Sequence, residues 1–126
     1  MARIRLKTPQ EIEMIRESGR IAAQTLQMLK KHVVPGISTL ELDRKAEQFI
    51  RKHKAVPSFK GYRDFRHSLC CSVNEQVVHG IPNPKKLKQG DIITLDVGVY
   101  KNEYHGDSAI TVAVGSVSVE AQQLMN

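Results

Sequence analysis

Hydrophobic positions recur along this chain with two different periods. Between Thr8 and Lys31, Ile12, Ile15, Ala22, Leu26 and Leu29 follow one another at helical spacing, which predicts a helix with one apolar face. Its start is marked twice: Thr8 can cap the helix while Glu11 reaches back to it, and Pro9 occupies the first helical position, where no N–H is needed. Val34-Pro35-Gly36 ends it. Ser38-Thr39-Leu40-Glu41 repeats the capping signal, and Leu42, Ala46, Phe49 and Ile50 carry a second helix to about His53. The stretch AVPSFKGYRDFRH, 55 to 67, has no period and reads as a loop that carries aromatic side chains.

Beyond it the period shortens to two. Ser68 to Val73 predicts a short strand, and Val77-Val78-His79 a second one closed by the turn-rich Gly80-Ile81-Pro82-Asn83-Pro84. Gly90-Asp91 turns into a strand over Ile92 to Tyr100, followed by another over Tyr104 to Val114. Ser118 then caps VEAQQLM, the beginning of a helix that has only about two turns before Asn126 and is expected to be part of a longer element.

The last two strands raise a chemical question. With Asn102-Glu103 as a two-residue hairpin loop, Lys101 faces Tyr104 and Asp107 faces Gly98, one diagonal step from Asp96. In that register Ile93, Leu95, Val97, Val99, Ile110, Val112 and Val114 share one face. Thr94, Asp96, Gly98, His105, Asp107, Ala109 and Thr111 share the other. A three-residue loop would mix the two sets, so the side-chain parity itself brings the carboxylates together. Two carboxylates so close raise each other's pKa unless a cation compensates, and hard divalent ions take oxygen ligands of this kind. Gly98 is expected to leave open space beside them for a ligand. An ordinary solvated pair on a sheet surface is the alternative reading.

Composition narrows the setting. One hundred and twenty-six residues suit a single domain, 1–126. No apolar run approaches the roughly 20 residues of a membrane helix, and MARIRLKTPQEIE lacks the apolar middle of a secretion signal, so a cytoplasmic location without membrane contact is expected. The adjacent Cys70 and Cys71 are expected to be reduced, because a bridge between neighbours is strained. The net charge of +6 is spread over RIRLK, Lys30-Lys31, RKHK and PKKLK; a solvated surface accounts for it, and a weak ribosome contact is the sharper reading.

VNEQVVHGIP (73 to 82), GDIITLDVGV (90 to 99) and YHGDSAITVAVG (104 to 115) resemble the signature blocks of the type I methionine aminopeptidases. Their order and the intervals from His79 to Asp96 to Asp107 agree, as do the capped helices KTPQEIEMIRESGRIAA and VVPGISTLELD. The resemblance implies an α+β chain that forms half of a pita-bread fold, an antiparallel sheet with two long helices packed on one face and metals on the other. It implies Asp96 and Asp107 as ligands of a pair of divalent ions (Co, Mn, Fe or Zn), which activate hydroxide for attack on the bond after an N-terminal methionine. His79 would hydrogen-bond the substrate peptide at the scissile bond, and Phe59, Tyr62, Phe65 and Cys70 would line the methionine pocket. The substrate implied is the N-terminal Met of nascent peptides.

Members of that family are roughly twice as long, with one His and two Glu ligands in the second half. The chain is therefore expected to be the N-terminal half of the catalytic domain, inactive or weak alone. Two alternatives stand beside it. One is a non-catalytic half-domain that binds metal or the ribosome. The other is a homodimer through the inner sheet face that rebuilds a partial metal site.

Overall fold

A computed structural model describes residues 7–60, 67–74 and 80–115. Helix α1 spans Pro9–Lys30 and helix α2 spans Thr39–Lys52. Strands β1 (Val56–Pro57), β2 (Leu69–Val73), β3 (Ile92–Lys101) and β4 (Tyr104–Ala113) follow.

Both helix starts follow from their caps. Thr8 Oγ1 accepts from the Glu11 N–H at 3.1 Å, and the Thr8 N–H donates to the Glu11 carboxylate at 3.1 Å, completing the reciprocal box. At α2 only half of that arrangement forms: Ser38 Oγ accepts from the Glu41 N–H, while the Glu41 carboxylate accepts from the Ser38 hydroxyl. The buried stripe of α1 departs from the expected one. Ile12 is 40% exposed, and Ser18, Ile21, Ala22, Thr25, Leu26 and Leu29 are buried. The first turn meets the sheet through a polar contact instead, the Tyr104 hydroxyl donating to the Glu11 carboxylate at 2.6 Å. Further along, Ser18 Oγ donates to the Tyr104 carbonyl at 2.9 Å and Thr25 Oγ1 donates to the Ile21 carbonyl at 2.7 Å, which lets two hydroxyls sit inside.

β3 is the centre of the sheet. β4 pairs antiparallel along its whole length, with Lys101 opposite Tyr104 and Gly98 opposite Asp107, the register read from side-chain parity. Asn102 and Glu103 both take positive φ (53° and 70°), the conformation of a two-residue hairpin turn whose twist matches the strands. The other edge of β3 is shared by β2, opposite Ile93 to Val97, and β1, opposite Val99 and Tyr100. The stretch expected to be a loop from 55 to 67 therefore opens as an edge strand. Pro57 is buried there and Pro lacks the N–H that a central strand would need, so two residues at an edge suit it.

The core lies between the helices and one face of the sheet. Leu69, Ile93, Leu95, Val97 and Val99 are fully buried against Leu26, Leu29, Leu42 and Ile50, with Cys71 almost so. Full burial of each such side chain contributes about 1.5–3 kcal/mol, so this face holds the helices on the sheet. The described residues thus form an α+β arrangement with both helices on one side of an antiparallel sheet. No helix among them is long and apolar enough to cross a membrane. The expected strand at Val77-Val78-His79 and the helix after Ser118 lie outside the described residues.

Candidate metal site

The face of β3 turned away from the helices carries Thr94, Asp96, Gly98 and Tyr100, because successive side chains alternate and the odd-numbered ones are in the core. Asp96 pairs across to Cys70 on β2 and to Ala109 on β4, while Asp107 stands opposite Gly98. Four residues therefore converge here: Asp96, Asp107, Cys70 and, from the chain after β1, Phe59.

Asp96 Oδ1 is buried and has no hydrogen-bond partner. Burial first, then the hydrogen bond and charge of the Asp107 carboxyl, push the Asp96 pKa up to about 7. A buried carboxylate oxygen left bare beside a second carboxylate is costly in the absence of a cation. The oxygen donors suit a hard or borderline divalent ion, so the residues present fit a metal. Among the described residues no group of three or more His, Cys, Asp or Glu could hold one. Two carboxylates are fewer ligands than structural or catalytic metal sites ordinarily use.

The open space expected at Gly98 is not there. A Cβ at that position would lie 2.9 Å from Ser58 Cβ and 2.9 Å from the Phe59 ring. The Ser58 N–H donates to the Gly98 carbonyl at 2.9 Å, so the chain leaving β1 continues along β3 and fills the gap. Gly98 is needed for that crossing rather than for a ligand. Ser58 is held in turn by a 2.8 Å hydrogen bond between its Oγ and Nδ1 of His105, whose ring leans on Tyr100 with centroids 4.5 Å apart. Both cysteines are free. The Cys70 thiol is pushed up to about 11 by burial and by Asp96 and Asp107, and burial likewise raises Cys71. Cys70 therefore stays protonated at neutral pH and acts as a small, polarizable apolar surface.

His79, Tyr62 and Phe65 lie outside the described residues. Two acidic side chains of α2 were not singled out from the sequence, although both bear on this site. Asp43, 6% exposed, accepts from the Ser68 and Leu69 N–H groups at 2.7 and 3.0 Å. Glu47 accepts from Lys60 and from the Ser68 hydroxyl. The available signal was Asp43 standing inside the apolar stripe between Leu42 and Ala46, a position where an unpaired carboxylate would be costly.

The profile of Metallopeptidase family M24 matches residues 13–126. The methionine aminopeptidase 1 of Bacillus subtilis is 57% identical over 119 residues, 94% of this chain and 48% of the relative. Among solved structures, methionine aminopeptidase from Rickettsia prowazekii superposes with a TM-score of 0.94 at 36% identity, over 98% of this chain and 50% of that one. The methionine aminopeptidase of Thermotoga maritima gives 0.93 at 37%, with the same shares. The chain spans about half the length of the curated relatives it matches.

Proposed function

The chain belongs to metallopeptidase family M24, and on that premise we propose that residues 1–126 form half of the catalytic domain of a methionine aminopeptidase, the half that contributes two metal carboxylates and part of the methionine pocket. The observation that carries this reading is the bare, buried Oδ1 of Asp96 beside Asp107. Asp96 and Asp107 would hold divalent metal. When bound, such an ion polarises a carbonyl and lowers the pKa of water enough to make a nucleophile at neutral pH.

The chain's own side chains do the rest of the proposed work. Phe59 and Cys70 present apolar, polarizable surface beside the carboxylates, which suits the unbranched thioether of an N-terminal methionine. His79 is proposed to hydrogen-bond the substrate amide at the scissile bond and so to steady it as charge develops. The substrate class proposed is a peptide with an N-terminal methionine, and the products are free methionine and the shortened peptide. With two carboxylates as its proposed ligands, the 126-residue chain is expected to bind metal weakly and to turn over slowly or not at all by itself.

The test is methionine release from a Met-Gly-led tripeptide by the chain with Mn(II) or Co(II), together with calorimetric metal binding, each beside Asp96→Asn. Metal binding or release that vanishes in Asp96→Asn supports the reading. Metal binding equal in the two proteins removes Asp96 from the site and favours a non-catalytic module.

A further inference from the structure

Phe59 and Cys70 approach the carboxylate pair from two separate stretches of chain, and both stretches are tied to one helix. Glu47 Oε1 accepts from Lys60 Nζ at 2.5 Å and from Ser68 Oγ at 3.1 Å, so a single oxygen joins the residue after Phe59 to the residue before β2. One turn earlier on α2, Asp43 Oδ1 accepts from both the Ser68 and Leu69 N–H groups, and its Oδ2 lies 3.2 Å from His67 Nδ1. Asp43 is thereby saturated, which is what permits a carboxylate in a position 6% exposed. Spacing of four residues puts both acids on one side of α2, and the buried Leu42, Ala46 and Ile50 fix that helix against the sheet.

We propose that Asp43 and Glu47 are positioning residues for side-chain recognition: together they set the spacing between Phe59 and Cys70 across the carboxylates. The proposal rests on the reading that Phe59 and Cys70 line the methionine pocket. Asp43 acts on Cys70 through the backbone of Ser68-Leu69, two peptide units away, and Glu47 acts on Phe59 through Lys60. Neither acid touches the ligand. The backbone tie is the stiffer of the two, since it has two short charge-assisted bonds to main chain, whereas the Lys60 side chain is 42% exposed.

A role confined to holding the fold would weaken every ligand alike, so the decisive quantity is discrimination. The 126-residue chain, with Mn(II) omitted so that amide resonances stay sharp and Zn(II) in its place, is titrated with L-methioninamide and with L-alaninamide, read at the Phe59 and Cys70 amides. In wild type methioninamide should bind more tightly. Asp43→Ala should cut the ratio of the two affinities about tenfold, because it removes both main-chain bonds that hold the Cys70 wall in place. Asp43→Asn, which keeps an oxygen acceptor for the two N–H groups, should restore most of the ratio. Lys60→Met, a surface change that leaves the fold intact, should lower it by about threefold, in keeping with its weaker tie.

Equal ratios in wild type, Asp43→Asn and Lys60→Met, with Asp43→Ala either equal or unfolded, would overturn the proposal and leave the pocket reading standing. No preference for methioninamide in wild type would overturn both.

Discussion

Asp96 is where the chemistry of a single side chain is most exposed to measurement. Its carboxyl titrates near 3.8 in an unfolded chain and is pushed up to about 7 in the fold, mainly by burial and then by Asp107. A raised carboxyl pKa means that the folded state holds the proton more tightly than the unfolded one. The stabilisation linked to that proton is full below the unfolded value and is lost as pH rises through the folded one. In chelator, the chain should therefore lose stability as the pH is raised from about 4 to beyond 7. Asp96→Asn should flatten that part of a melting-temperature profile. A profile unchanged by the substitution would place the bare oxygen somewhere other than in a strained pair. At the same scale, Cys70 and Cys71 were legible as reduced, whereas the crowding at Gly98 was not. Nothing in the local pattern around Gly98 announces that Ser58, forty residues earlier, crosses it.

Among the elements, the contact of α1 with the hairpin turns on two glycines that behave oppositely. A Cβ added at Gly106 of β4 would lie 2.4 Å from the Gly19 nitrogen and 2.5 Å from the Ser18 carbonyl carbon, both backbone atoms that cannot move aside. A Cβ at Gly19 itself would meet nothing within 4 Å. Gly106→Ala should thus cost about 3 kcal/mol or more by prying the helix from the strand, while Gly19→Ala should be neutral or stabilise by up to ~1 kcal/mol through helix propensity. Urea unfolding of the two variants decides it, and equal midpoints would show that the helix can slide along the hairpin. The polar ties on the same interface, Lys101 to Glu17 at 2.9 Å and the Tyr104 hydroxyl to Glu11 at 2.6 Å, explain why the half-exposed start of α1 still sits down on β4. Helix limits and caps were readable because they depend on residues within one turn. The edge strand β1 was not, because a two-residue strand has no period to read and exists only where β3 offers its free edge.

At the scale of the molecule, the sheet has one face buried under two helices and the other carrying the carboxylates. A divalent ion that binds the folded chain and not the unfolded one stabilises by mass action, by about 2.7 kcal/mol at a hundred times its Kd. Melting in Mn(II), at a pH above the Asp96 midpoint, should therefore occur at higher temperature than in chelator, and Asp107→Asn should abolish the difference. A shift that survives the substitution would mean that the ion binds elsewhere. With the two proposed carboxylate ligands alone, the affinity is expected to be modest.

What the sequence by itself determined is everything set by short-range geometry: two capped helices, the hairpin and its register, and the meeting of Asp96 with Asp107. Alternation puts Ile93, Leu95, Val97 and Val99 on one face of β3, and the two-residue loop sets Ile110 and Val112 of β4 on that same face, which leaves Asp96 and Asp107 together on the other. Only the tertiary structure decided how β1 and β2 share an edge of β3, that Ser58 and Phe59 fill the gap over Gly98, and that Asp43 and Glu47 of α2 bond Lys60, Ser68 and Leu69. Those contacts join residues far apart in the chain, through hydrogen bonds and close approaches that leave no periodic trace in the order of the amino acids.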